Sequence, residues 1–223
     1  MTIRHCMFDF DGTLVDTLND VIECLTLAFE KAGVPVGPVH VPTIMQLQLR
    51  EAIASIVPSC SEDQVERVVG EFRKLYDASS YPATLLMPGV VGLLAELRSR
   101  SIGRSIVSNK RHIPTLRILD KFGIREEFDA VYNPDMVPGA PVMTKSRMIG
   151  RALEEQRLVK EQTLYIGDSE IDVIAADENR IASVIVTGGY GKIDGFKRRP
   201  TQVVRMIADI VSLDGLFAPP SPR

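Results

Sequence analysis

Apolar residues run almost unbroken from Ile3 to Phe10 and stop at Asp11-Gly12, the pattern of a buried strand that ends in a tight loop. From Leu18 the spacing changes. Leu18, Val21, Ile22, Leu25 and Phe29 recur at helical intervals and Gly33 closes the run, which predicts a helix with one apolar face. A second helix is predicted through Leu49, Ala52, Ile53 and Ile56. A third runs through Val65, Val68, Val69, Phe72 and Tyr76, opened by Ser61 as N-cap with Glu62 and Asp63 behind it. Beyond Pro82 and Pro88-Gly89 the periods alternate. Helices are predicted at Val90 to Arg100, Thr115 to Phe122, Ser146 to Leu158 and Asp172 to Glu178, and strands at Ser105 to Ser108, Phe128 to Tyr132, Leu164 to Ile166 and Ser183 to Val186. A last helix is expected near Gln202 to Val211, and the Pro-rich tail from Phe217 to Arg223 is expected to fray.

Strand and helix alternation implies a parallel sheet. The expected fold is an α/β, doubly wound, three-layer core with a small all-helical cap inserted after the first strand. Residues 1–16 and 82–223 would form the core and residues 17–81 the cap, with hinges near Asp16 and Tyr81.

Size and composition agree with this plan. The 223 residues hold one core domain with an insertion, and 45% hydrophobic with 25% charged residues is the composition of a globular protein. A net charge of -3 provides no general attraction to polyanions, so neither nucleic acid nor an acidic membrane surface is expected as a partner. The run Lys197-Arg198-Arg199 reads as a solvated loop. Cys6, Cys24 and Cys60 are odd in number and lack CxxC spacing, which argues against a disulfide framework or a zinc site and fits a reducing cytoplasm. The N-terminus reaches acidic residues too soon for a signal peptide, and no apolar stretch is long enough to span a bilayer. The expectation is a soluble cytoplasmic protein, monomer or homodimer.

In a doubly wound sheet the ligand lies beyond the carboxyl ends of the strands. After the first strand stands Asp9-Phe10-Asp11-Gly12-Thr13, where residues two apart in extended backbone point the same way and Gly12 lets backbone N–H groups approach an anion. After the second expected strand stands Ser108-Asn109, and after the fourth Gly167-Asp168-Ser169-Glu170-Ile171-Asp172. Lys145, before or in the first turn of a helix, is the cation that would join them. Asp9, Asp11, Asp168 and Asp172 repel one another unless a hard divalent cation intervenes, and a few oxygen ligands with room for water suit Mg²⁺. Lys145, Ser108, Asn109 and the loop around Gly12 would then bind the equatorial oxygens of a phosphoryl group. Lys110 is the rival to Lys145 and reads equally well as an exposed residue. His112 reads as a surface residue. Gly188-Gly189-Tyr190-Gly191 either borders the cleft or only makes a turn.

In this order DFDGTLVDT, the serine of SIVSNK, a lysine at a helix start and GDSEIDVIAA resemble the motifs of the haloacid dehalogenase superfamily. The helical insertion resembles the cap of its phosphoglycolate phosphatase and β-phosphoglucomutase branch. The resemblance implies that Asp9 is the nucleophile, forming an aspartyl-phosphate, and that Asp11 is the general acid and base. It implies that Asp9, the Asp11 carbonyl and Asp168 hold Mg²⁺, and that Asp172 supports the metal or orients Lys145. Dehalogenases of the superfamily lack the second carboxylate, so Asp11 favours phosphoryl transfer. The segment Gln46 to Glu51 takes the place of the family's substrate-specificity loop, with bulkier residues where the family often has glycine. Gln46 and Arg50 are its candidate substrate contacts. The function expected is hydrolysis of a small organophosphate such as a phosphoglycolate-like compound or a sugar phosphate. A phosphomutase and a non-catalytic phosphate-binding regulator are the alternatives.

Overall fold

The structure, a computed structural model, describes residues 2–37, 45, 47–213, 216 and 217. The chain divides into two compact units, Met1–Asp16 with Leu86–Arg223, and Thr17–Leu85.

In chain order the first unit opens with β1 (His5–Phe8) and β2 (Val15–Asp16). The second contains α1 (Leu18–Lys31), α2 (Leu49–Ile56), α3 (Glu62–Ala78) and the first residue of β3 (Leu85–Leu86). The first unit then continues through α4 (Val90–Ser99), β4 (Gly103–Val107), α5 (His112–Phe122), β5 (Ala130–Tyr132), α6 (Lys145–Glu155), β6 (Thr163–Gly167), α7 (Glu170–Glu178), β7 (Ala182–Val186) and β8 (Gln202–Val204).

Among the described residues the main sheet has the order β5-β4-β1-β6-β7-β8, with every pairing parallel. A parallel sheet covered on both faces needs apolar side chains on both. Met7 and Phe8 in β1, Ile106 and Val107 in β4, and Leu164, Tyr165 and Ile166 in β6 are accordingly all fully buried. The register places Phe8 opposite both Ile106 and Ile166. The three central strands therefore end level with one another, and the loops that follow them leave from one edge. The chain departs from β1 towards β4 on one side and later returns to β6 on the other, which makes this edge the switch point of the sheet.

At the opposite end of β1, His5 Nε2 lies 2.8 Å from Ser105 Oγ, and Gln156 Nε2 donates to that oxygen and to Tyr132 Oη at 2.9 and 3.3 Å. Burial pushes the His5 imidazole down to about 4, against the pull of Asp129. No described helix is long and apolar enough to cross a membrane.

The helical unit has its own core of Leu25, Ala28, Phe29, Ile53, Val68, Val69 and Tyr76. Asp20, at 2% exposure, accepts from the Ala83 amide at 3.1 Å and the Thr84 hydroxyl at 2.5 Å. That buried carboxylate needs donors, and it ties residues 82–85 to α1, so this unit extends past Tyr81, the residue at which the sequence pattern places its end.

Two expectations change. The segment expected to be a helix from Gln202 to Val211 is a strand followed by a 3₁₀ turn at Ile207–Ser212. β-branched Val203 and Val204 pair with Ile185 and Val186 of β7, which takes these residues out of any helix and leaves only Ile207–Ser212 for a short 3₁₀ turn with Ile207 and Ile210 buried. Of the tail, Phe217 bridges to Ile3, and the Leu216 carbonyl accepts from the Ile3 amide at 2.9 Å. Residues 218–223 lie outside the described residues, as does Gln46.

Candidate active site

All the groups gathered at the switch-point edge belong to the first unit. Asp9 follows β1 directly and is 7% exposed, with Oδ2 3.1 Å from Lys145 Nζ. Its Oδ1 is buried and has no hydrogen-bond partner among the described residues. Burial pushes the Asp9 carboxyl up to about 6; Lys145 opposes this, Asp172 adds to it, and a hydrogen bond from Ser108 pulls it down.

The next residues close a tight loop. The Phe10 carbonyl accepts from the amides of Leu14 and Val15 at 2.9 and 3.1 Å, and Gly12 N–H donates to Val15 O at 2.8 Å. Gly12 has φ +81°, and a Cβ there would run into the Asp168 carboxylate and the Tyr190 ring. Only glycine fits both constraints. Asp11, held out from this loop, is flanked by Lys110, whose Nζ lies 3.0 and 3.1 Å from its two carboxylate oxygens. Ser108, 2% exposed, follows β4 and accepts from the Lys110 amide at 3.3 Å; Asn109 beside it is half-buried.

Lys145 sits in the first turn of α6, whose N-cap Thr144 accepts from the Arg147 amide at 3.3 Å. The side chain crosses buried space to reach Asp172 Oδ1 at 2.5 Å as well as Asp9. Burial works against the Lys145 charge, but Asp172 and Asp9 outweigh it and hold its pKa above the ordinary lysine value. The other oxygen of Asp172, Oδ2, accepts from the Asp168 amide, the Ser169 amide and the Ser169 hydroxyl at 3.1, 2.9 and 2.7 Å. Asp172 is thus both the acidic residue that caps α7 and the anchor of Lys145.

Asp168, at the end of β6, is 3% exposed and accepts from the backbone N–H groups of Tyr190 and Gly191 at 2.6 and 3.2 Å. Burial, with Asp172 and Asp9 adding repulsion, pushes its carboxyl up to about 8, despite the Tyr190 N–H and Lys145. Asp9, Asp168 and Asp172 bring ligand oxygens within 4.8 Å of one another. Three buried carboxylates face one ammonium here. That imbalance and the unpartnered Asp9 Oδ1 fit a hard cation.

The structure therefore brings together Asp9, Gly12, Ser108, Lys145, Asp168 and Asp172, with Asp11 beside them. Lys110, equally readable as exposed, has a side chain only 5% exposed and is paired with Asp11. The Gly188 to Gly191 run does more than turn. Its backbone grips Asp168, a Cβ on Gly189 or Gly191 would collide with Asp168, and Tyr190 Oη donates to Asp16 at 2.6 Å. The cluster of glycines was the signal for this. His112, expected at the surface, is half-buried; its Nδ1 lies 3.0 Å from Asn133 Oδ1 and its amide donates to Asp135 at 2.8 Å. In the helical unit Arg50 pairs with Glu66 and lies 4.0 Å from Glu62, so acids on α3 already meet part of its charge.

Comparison with known proteins follows the same lines. The sequence model of the haloacid dehalogenase-like hydrolase family matches residues 6–186. The chain is 31% identical over 191 residues to a phosphoglycolate phosphatase from Synechococcus elongatus, covering 84% of this chain and 85% of that one. It is 29% identical over 210 residues to the tyrosine-protein kinase PtkA of Mycobacterium tuberculosis, covering 93% of this chain and 70% of that one. Among solved structures, a haloacid dehalogenase-like hydrolase from Streptococcus pneumoniae superposes with a TM-score of 0.82 at 28% identity, over 94% of this chain and 97% of the other.

Proposed function

We propose, starting from the fact that this chain belongs to the haloacid dehalogenase-like hydrolase family and is a phosphatase, that it hydrolyses a small organophosphate monoester with Mg²⁺ and passes through an aspartyl-phosphate on Asp9. The observation that carries this reading is the buried Asp9 carboxylate at the end of β1, with one oxygen on Lys145 and the other unpartnered among the described residues.

Asp9 attacks phosphorus as the bond from phosphorus to the leaving oxygen breaks, and Asp11 gives its proton to that oxygen, so the product leaves as an alcohol. Water then attacks the same phosphorus and loses a proton to Asp11. The Asp9–phosphorus bond breaks, and inorganic phosphate departs with Asp9 again a carboxylate and Asp11 again protonated. Lys145 and Ser108 place positive charge and a hydroxyl where the transferring oxygens collect negative charge. Asp9, Asp168 and the Asp11 carbonyl would hold Mg²⁺, while both oxygens of Asp172 are already spent on Lys145 and on the turn at Ser169. When bound, Mg²⁺ draws charge from the phosphoryl group and orients it. Phosphoglycolate, named for the Synechococcus relative, and sugar phosphates are the substrate class, and the cytoplasm is the expected compartment.

Phosphate release from an aryl phosphate, with and without Mg²⁺, tests this. Activity should require the metal and fall at least about 1,000-fold in Asp9→Asn; metal-independent turnover, or full activity in that variant, would remove the reading. The kinase relative favours a second reading in which a tyrosine hydroxyl replaces water as acceptor. Supplying ATP and a tyrosine peptide separates the two, since that reading requires phosphotyrosine to accumulate.

A further inference from the structure

The pairing of Lys110 with Asp11 was not fixed by any local pattern, and it points beyond the reaction just described. Lys110 Nζ straddles both oxygens of Asp11 at 3.0 and 3.1 Å, and it does so from a side chain only 5% exposed. A long, entropy-rich cation held this far from solvent must be fixed from elsewhere. Contacts on its backbone and at its head fix it. Its amide donates to Ser108 Oγ, its carbonyl accepts from Asn133 Nδ2 at 2.8 Å, and its ammonium lies 6.0 Å from the Phe10 ring centroid.

Asn133 is wholly buried just beyond β5, and its side chain is fully engaged. Nδ2 also donates to Thr115 Oγ1 at 3.2 Å, and Oδ1 faces His112 Nδ1. Arg111 and the His112 amide are in turn held by Asp135, at 3.2 and 2.8 Å. The turn from Ser108 to His112 is therefore pinned to the residues that follow β5, and Lys110 is its outward reach to Asp11.

We propose that Lys110, set in place by Asn133, is a positioning residue that keeps one oxygen of the Asp11 carboxyl while the other turns to carry the proton to the leaving oxygen. This rests on the reading of Asp11 as the proton donor. An aspartate side chain with two free torsions otherwise samples several rotamers, and a misplacement of about 1 Å is enough to cost roughly 100-fold in a proton-transfer step. The main-chain carbonyl of Asp11 is set separately by the closed Phe10–Val15 loop, so moving the side chain alone separates proton delivery from the rest of the site.

That separation gives the test. An alkyl phosphate has a poor leaving group and needs the proton; 4-nitrophenyl phosphate has a good one and needs it far less. The value of kcat/KM covers steps through formation of the aspartyl-phosphate, so later water attack does not enter. In Lys110→Met, kcat/KM for the alkyl ester should fall about 100-fold and for the nitrophenyl ester less than about tenfold. Lys110→Arg, which keeps the charge and guards against misfolding, should recover about tenfold on the alkyl ester. Equal losses on both esters, or no loss on the alkyl ester, would overturn the inference while leaving the phosphatase reading intact. A wild-type chain that releases phosphate from neither ester in Mg²⁺ removes both.

Discussion

At the scale of single residues, Lys145 stands between two buried carboxylates. Its ammonium is the one described cation within reach of both Asp9 and Asp172, and it is 5% exposed. Removing one partner of a buried ionic set leaves the others uncompensated, which costs more than the set itself contributes. Lys145→Met should therefore destabilise the metal-free protein by about 3 kcal/mol and abolish turnover. Urea unfolding near neutral pH measures the first effect; a midpoint equal to that of the unmodified chain would mean that the acids relax by taking up protons instead. Gly12 illustrates the other kind of single-residue constraint. It is held by a positive φ and by the nearness of Asp168 rather than by any charge.

At the scale of elements, helix starts do much of the positioning. Thr144 caps α6 and so fixes where Lys145 leaves the backbone, and Ser169 with Asp172 caps α7 directly under Asp168. In the helical unit the same device is purely structural. Ser61 Oγ accepts from the Gln64 amide at 3.3 Å, and Gln64 Oε1 accepts from the Ser61 amide at 2.9 Å. Losing such a cap costs about 1 kcal/mol. Ser61→Ala should accordingly speed amide exchange in α3 about fivefold and leave β1, β4 and β6 unchanged, as a separate core allows. An equal effect on both units would show that they open as one.

At the scale of the whole molecule, Asp168 ties stability to pH and, in the proposed function, to the metal. Its folded-state pKa, about 8, lies above the ordinary carboxylate value of 3.8. The folded state thus retains a proton that the unfolded chain gives up. The stabilisation is complete below the unfolded pKa and is lost as pH rises through about 8. A cation bound there would compete with that proton for the same carboxylate. Mg²⁺ should therefore raise the melting temperature more at about pH 8.5 than at about pH 6, read from thermal melts at a fixed metal concentration. A shift of equal size at both values, or a larger one at the lower pH, would separate Asp168 from the metal.

The sequence by itself determined what depends on neighbouring positions. A run of apolar residues broken by Asp11-Gly12, helical spacing from Leu18, and the acids that follow β6 are all written within a few residues. For that reason Asp9, Gly12, Ser108, Lys145, Asp168 and Asp172 were visible before any contact was known. Tertiary structure decided what depends on partners. Lys110 lies 99 positions from the aspartate it holds, and Tyr190 lies 22 from Asp168. Gln202 to Val204 became a strand only because β7 offered it an edge. Periodicity records which face of an element is apolar but not what lies across from it. Burial and charge pairing, which choose between an exposed lysine and one paired with Asp11, exist only once the sheet has set its register.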